Sequence, residues 1–173
     1  MQFAKTTQRH ALSAVAILWF FAADVHAQPA DNLFTIARST NANIVRYDIH
    51  RRPDGQLDHD HPVEAYWLML TENGRREGLS WIEREMAYGF SATKVTSTGF
   101  SLRLVAFKKR EIQVQILGAS YRARVAISGK PAVLNRIFVR TEENGGLVPR
   151  VRYVELQGIA DGGVSVTERI SAS

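Results

Sequence analysis

No cysteine occurs anywhere in the 173 residues. That excludes disulfide staples, thiol nucleophiles, thiolate metal centres and iron–sulfur clusters, so burial alone must hold the fold even in an oxidising compartment. Nucleotide-binding loops are missing too, with neither a G-x-G-x-x-G nor a Walker pattern. Gly89-Phe90-Ser91-Ala92 lacks the second glycine of a G-x-S-x-G nucleophile elbow. Glu83 and Glu85 stand two apart, a spacing that turns helical side chains away from each other, so they make no acid–base pair. No domain linker, repeat or low-complexity tract interrupts the chain. The apolar run Ala11–Ala23 (ALSAVAILWFFAA) falls short of the about 20 residues a membrane-spanning helix needs.

That run has another reading. Lys5 and Arg9 precede it, and Val25-His26-Ala27 offers small or apolar residues where a signal peptidase reads. The pattern predicts a secretory signal over residues 1–27, cleaved after Ala27, and a single β-rich domain over 28–173. A short membrane anchor or an internal core helix is the competing reading. With no cysteine at the cleavage position, lipid attachment there is excluded. The expected location is a bacterial envelope compartment, periplasmic or secreted. A net charge of +5 makes the chain mildly basic, but export argues against nucleic acid as a partner, and no permanent membrane span is expected after cleavage.

Apolar rhythm sets the fold class. Leu33–Ala37 and Ile44–His50 are short β-branched segments, and Arg52-Pro53-Asp54-Gly55 is a turn signal. Val63–Leu70 (VEAYWLML) is apolar on both faces and predicts a central, doubly covered strand. From Phe100 the period is two. Phe100, Leu102, Leu104 and Ala106 alternate with Ser101 and Arg103, Ile112, Val114 and Ile116 with Gln113 and Gln115, and Tyr121, Ala123, Val125 and Ile127 with Arg122, Arg124 and Ser128. Such alternation marks strands with one face buried and one wet. Further strands are expected at Ala132–Thr141, Pro149–Ile159 and Val164–Ile170, separated by Asn144-Gly145-Gly146 and Asp161-Gly162-Gly163. The expectation is a mainly β antiparallel meander of about nine strands, barrel or sandwich. One short helix interrupts it near 81–88. Ser80 and Glu83 fit a capping box, Gly89 stops the helix, and Ile82 with Met86 and Trp81 with Tyr88 form stripes expected to pack on the sheet.

Ligand-type side chains crowd at Leu57–Trp67 (LDHDHPVEAYW). His59 and His61 share one side of an extended chain, and a hairpin through Pro53-Asp54-Gly55 brings His50 towards them. Neutral imidazoles with Asp58, Asp60 or Glu64 suit zinc. The blander alternative, and the favoured one, is a solvated turn, because H-x-H is a short motif and the segment before Pro62 reads as an exposed loop. Tyr66, Trp67, Trp81, Tyr88, Phe90 and Phe100 cluster in the central third, as core or as the lining of a hydrophobic pocket in a barrel mouth. Arg122 with Arg124, Arg150 with Arg152, and Arg136 with Arg140 repeat so that each pair shares a face. They make a surface for anionic head groups, glycans or acidic proteins, unless their stems cover apolar surface and their heads pair with Glu142, Glu143 or Glu155.

Several stretches together, NANIVRYDI, HPVEAYWLM, IEREMAYGF, LNRIFVR and VRYVELQGI, resemble a family of small exported bacterial proteins catalogued as a domain of unknown function. The resemblance rests on a P-V-x-x-Y-W segment (Pro62, Val63, Tyr66, Trp67), an E-R-x-x-A-Y-G segment (Glu83, Arg84, Ala87, Tyr88, Gly89) and a Y-V-E-L-x-G segment (Tyr153–Leu156, Gly158). It implies no activity, substrate or cofactor, and it leaves out His59 and His61. Glu83, Arg84, Gly89 and Glu155 stand out as shared structural residues, with Glu155 expected to pair with Arg84 beneath the helix. The functional expectation is a non-enzymatic binding or scaffolding domain of the envelope for an amphiphilic or anionic partner: lipid, glycan or envelope protein. The alternative is a zinc-dependent enzyme or zinc-binding protein built on His50, His59 and His61.

Overall fold

The computed structural model describes residues 31–142 and 150–172. The predicted signal peptide with its cleavage point at Ala27, and the Asn144-Gly145-Gly146 turn, lie outside the described residues. The chain is mainly β, as the apolar rhythm predicts. Eleven strands follow in order: β1 Asn32–Arg38, β2 Asn41–Ile49, β3 Val63–Met69, β4 Arg75–Gly78, β5 Phe90–Thr96, β6 Gly99–Leu104, β7 Ile112–Leu117, β8 Ser120–Ile127, β9 Lys130–Glu142, β10 Arg150–Ala160 and β11 Ser165–Ser171. The helical segment between β4 and β5 is one α-helical turn, α1 Trp81–Glu83, running into a wider π-type turn over Arg84–Tyr88.

The long strand β9 organises the sheet. Its first residues pair antiparallel with β8, Ile127 opposite Lys130 and Arg124 opposite Val133. Beyond that, the same edge pairs parallel with β1, Thr35 opposite Arg136 and Arg38 opposite Val139. β10 lies along the other edge of β9 from Ala132 to Glu142. Two wings therefore leave one edge of one strand, β8-β7-β6-β5 and β1-β2-β3-β4, giving the path β4-β3-β2-β1-β9-β8-β7-β6-β5. Nine strands curl along this path into a half-barrel, with neither the closure of a barrel nor the two separate sheets of a sandwich. The β1–β9 pair makes the sheet mixed, although it remains predominantly antiparallel.

The core sits between the wings. Phe34, Val45 and Tyr47 from one and Leu102, Ile112, Val114 and Ile127 from the other are fully buried, with Leu134 and Leu156 at the base. Tyr47 stacks on Phe34 at 4.5 Å between centroids and meets Phe90 of the opposite wing edge-on at 6.1 Å. Each such aromatic buries a large apolar area, and edge-to-face geometry adds about 0.5–1.5 kcal/mol. Gly158 sits where β10 presses on β9. A Cβ there would fall 2.4 Å from the Val133 carbonyl oxygen and 2.7 Å from Ile127 Cδ1, so only glycine fits.

The β10–β11 hairpin is fastened by charge. Arg110 forms a two-pronged ion pair with Glu168, which also accepts from the Ser128 amide at 2.6 Å, while Ser128 Oγ donates to the Thr167 carbonyl at 3.0 Å. The Arg110 hydrogen bond is the main reason the Glu168 carboxyl is held below its ordinary pKa, against some desolvation.

Two expectations are corrected. β3 is not a central strand covered on both faces: only the short β4 lies beyond it, and Glu64 and Leu70 are exposed. Nor does the helical segment lay its apolar residues on the sheet. Trp81, Ile82 and Met86 are 73%, 54% and 73% exposed. The segment is held by its polar cap and by Tyr88, which alone of its residues is buried.

Candidate functional site

Where the half-barrel stays open, a cleft of about 540 Å³ separates β3 and β4 from the start of β5. This lies within the usual range for ligand sites. Val63, Ala65, Leu79, Phe90 and Val105 give it an apolar lining. His50, His61, Glu64, Tyr66, Arg76, Glu77, Arg84 and Glu85 give it polar walls. A second hollow of about 290 Å³ adjoins it between the Pro62 loop and β5, lined by His59, Asp60, Ala92 and Val95 among others. His61, Val63, Arg84 and Phe90 line both, so the two hollows form one groove.

The bridge over the gap is built from local rules. Ser80 in an extended conformation caps α1: its hydroxyl accepts from the Glu83 amide, and Glu83 accepts from the Ser80 amide at 2.8 Å, a complete capping box. Glu83 has a further task, accepting from Trp67 Nε1 at 2.9 Å, which ties the segment to β3. Burial raises the Glu83 pKa, but the Ser80 and Trp67 hydrogen bonds outweigh it and leave the carboxylate below its ordinary value. Trp67 in turn meets Tyr88 edge-on at 5.2 Å.

The wide turn closes against Gly89, whose φ of −66° is ordinary. Glycine is required there for space, since a Cβ would stand 1.9 Å from the Arg84 carbonyl oxygen. Tyr47 completes the bridge: its buried hydroxyl donates to the Tyr88 carbonyl at 2.7 Å.

Arg84 occupies the waist of the groove. Its Nε donates to the Leu79 carbonyl at 3.1 Å, which orients the guanidinium, and it makes no ion pair among the described residues. Of the neighbouring charges, Arg76 pairs with Glu64 at 2.7 Å and lies 3.7 Å over the Tyr66 ring, and Glu77 pairs with Arg75, while Glu85, which also lines the cleft, makes no ion pair among the described residues. Behind the cleft wall, Asp48 accepts from Arg46 at 2.7 Å, Tyr66 at 2.6 Å and Asn32 at 3.0 Å. Desolvation of Asp48 is outweighed by these bonds, so its pKa falls. Burial first, and then the bond to Asp48, push the Tyr66 hydroxyl up to about 12.

The sequence candidates scatter around this site. Tyr66, Tyr88 and Phe90 line the cleft, Trp67 supports Tyr88 from behind, Trp81 points to solvent, and Phe100 is core. His50, His59 and His61 reach the groove but are not gathered into a metal centre. Among the described residues, no group of three histidine, aspartate or glutamate side chains is placed to hold an ion. His50 Nδ1 is turned to the His61 carbonyl at 3.0 Å, and Asp58 is spent on the Asp60 and His61 amides, as in a polar turn.

Most of the paired arginines have partners of their own. Arg124 pairs with Asp161 at 3.1 Å, Arg152 with Glu142 at 3.1 Å, and Arg150 stands opposite Glu142 in the ladder. Arg122 bends to the Tyr121 carbonyl, and Arg136 lies over Phe138. Glu155 is bound by Gln157 at 2.7 Å and Arg169 at 3.1 Å. The expected Arg84–Glu155 pair is therefore not formed: β10 belongs to the base of the sheet and Arg84 to its open end. Tyr47, Arg76, Leu79 and Val105 were not legible as site residues, because only the curl of the sheet brings them to the gap.

A family model described as "Domain of unknown function (DUF4833)" matches residues 34–169. No curated protein and no solved structure matches the chain. No helix among the described residues is long and apolar enough to cross a membrane.

Proposed function

We propose that this chain, which belongs to the family described as domain of unknown function DUF4833, is an exported, non-enzymatic binding domain of the cell envelope. Its partner has an apolar body and an anionic group. One observation carries the reading: the groove combines an apolar floor with an oriented arginine, Arg84, that makes no ion pair among the described residues. A guanidinium so placed favours a carboxylate or phosphate. Export follows from the leader at 1–27 and is part of the same proposal; amino-terminal sequencing of the protein from its host, starting at Gln28 and in the envelope fraction, is the expected result.

Binding is tested with dodecyl phosphate, titrated into the purified protein and followed by tryptophan fluorescence, since Trp67 supports the cleft wall. Saturable binding that Arg84→Glu weakens at least tenfold supports the reading. Binding unaffected by Arg84→Glu, or no binding of this probe or of any ligand carried through purification and seen by native mass spectrometry, overturns it.

A further inference from the structure

The walls of the groove differ from an ordinary lipid or small-molecule pocket in one respect: both are open strand edges. β4 pairs with Tyr66–Met69, so among the described residues Val63–Ala65 at the start of β3 have no strand on the cleft side. The phase of the ladder shows which main-chain groups point there. The His50 amide donates to the Pro62 carbonyl at 3.0 Å, so Pro62 and Glu64 face β2. Antiparallel alternation then turns the N–H and C=O of Val63 and Ala65 towards the gap.

The opposite wall repeats the arrangement. β5 ends the sheet path and, among the described residues, pairs with β6 alone. The Val105 amide donates to the Gly89 carbonyl at 2.8 Å. Ser91 and Thr93 therefore face β6, while Phe90 and Ala92 turn their main-chain groups to the open side. The side chains of Val63, Ala65, Phe90 and Ala92 line the groove as well. Elsewhere β5 is blunted as exposed edges usually are: the register breaks between Thr93 and Thr96, with Lys94 at a φ of 54°. The stretch Phe90–Thr93, which flanks the cleft, keeps a regular register with β6.

From this juxtaposition we infer that the groove is a docking slot for an extended polypeptide segment, which adds its backbone to the open edges of β3 and β5 and sets a carboxylate against Arg84. The inference rests on the ligand-binding reading above and names its ligand class. Unpaired main-chain donors and acceptors distinguish the two sources of an apolar anion. An amphiphile satisfies Arg84 and the floor but leaves the edges unbonded, whereas a strand satisfies all three. The regular edges are short, so a segment of about five residues fills the slot at 3.3 Å per residue.

The test uses the purified protein and a library of randomised seven-residue peptides with free carboxyl termini. The expected result is enrichment of peptides with alternating apolar residues and an acidic group. N-methylation at alternate amides of a selected peptide weakens binding at least tenfold, and Arg84→Gln weakens it at least fivefold. Bound peptide slows amide hydrogen exchange at Val63, Ala65, Phe90 and Ala92 at least tenfold.

Selected peptides that bind equally well when N-methylated overturn strand addition, and indifference to Arg84→Gln overturns the carboxylate contact. No enrichment, with dodecyl phosphate still bound, sinks the peptide inference and leaves the proposed function standing. If neither probe binds, both fall.

Discussion

Replacing Tyr47 by Phe removes the buried hydrogen bond that, alongside the one from Trp67 to Glu83, ties the β1–β4 wing to the bridge over the gap. Tyr47 has no exposed surface, and its ring contacts to Phe34 and Phe90 survive the change. Only the 2.7 Å bond to the Tyr88 carbonyl is lost. A typical hydrogen bond contributes about 0.5–1.5 kcal/mol, but a buried acceptor left without a partner costs about 1–3 kcal/mol. No cavity term adds to this, because the ring is unchanged. The expected destabilisation is therefore about 1–3 kcal/mol.

Urea denaturation followed by circular dichroism reads it as a midpoint lowered by about 1 M with an unchanged slope, given slopes of about 1–3 kcal/mol per molar. The matched control is Tyr88→Phe. The Tyr88 hydroxyl is buried without a partner among the described residues, so its removal should leave the midpoint equal or raise it. A Tyr47→Phe midpoint within about 0.2 M of the parent would refute the claim that this bond holds the bridge; so would a Tyr88→Phe protein less stable than Tyr47→Phe.

Gly89→Ala should destabilise by about 1–3 kcal/mol or more, as overpacking does, because its Cβ meets the Arg84 carbonyl oxygen at 1.9 Å; thermal melting checks this, with Gly78→Ala, where a Cβ meets nothing within 4 Å, as the benign comparison. Trp81→Ala should change stability by no more than about 0.5 kcal/mol despite its size, since exposed side chains away from special features contribute little. A shift above 1 kcal/mol would mean that the helical segment packs more tightly than its 73% exposure indicates. Glu168 has its pKa depressed, chiefly by Arg110. Its stabilisation is therefore present above the ordinary glutamate value of about 4.3 and lost as pH falls through the lower folded value. Glu168→Gln should lower stability at neutral pH and flatten its decline below about pH 4; an unaltered acid limb would refute the assignment.

Strands with one wet face could be read directly. In β6, β7 and β8 the inward residues Phe100, Leu102, Ile112, Val114, Ala123 and Ile127 alternate with exposed or half-exposed ones, apart from the buried Ser101. The two strands that escaped are those flanking the gap. β4 (RREG) buries nothing and so carries no apolar signal, while the rhythm of β5 (FSATKVT) is broken by its Lys94 bulge. The capping box at Ser80 and Glu83 is a local device and was legible as such. The exposure of Ile82 and Met86 was not, because the same i, i+4 spacing serves a packed or a solvent-facing stripe. Half of the aromatic cluster reaches the cleft for a similar reason: spacing told which residues were near one another in sequence, but the curl decided which of them met across the opening. The parallel contact of β1 with β9 has no local signature at all.

That contact has a consequence for how the chain acquires its shape. Ser39 and Thr141, which bond where the two strands meet, are 102 positions apart. The first wing can form its own hairpins early, yet its seat on β9 does not exist until most of the polypeptide has been made. Closing so long a loop is entropically slow, and non-local pairing of this kind lengthens the time to the native state. Until then the apolar face of β1 and β2 stands uncovered, which is the state in which an unfinished chain is most prone to aggregate.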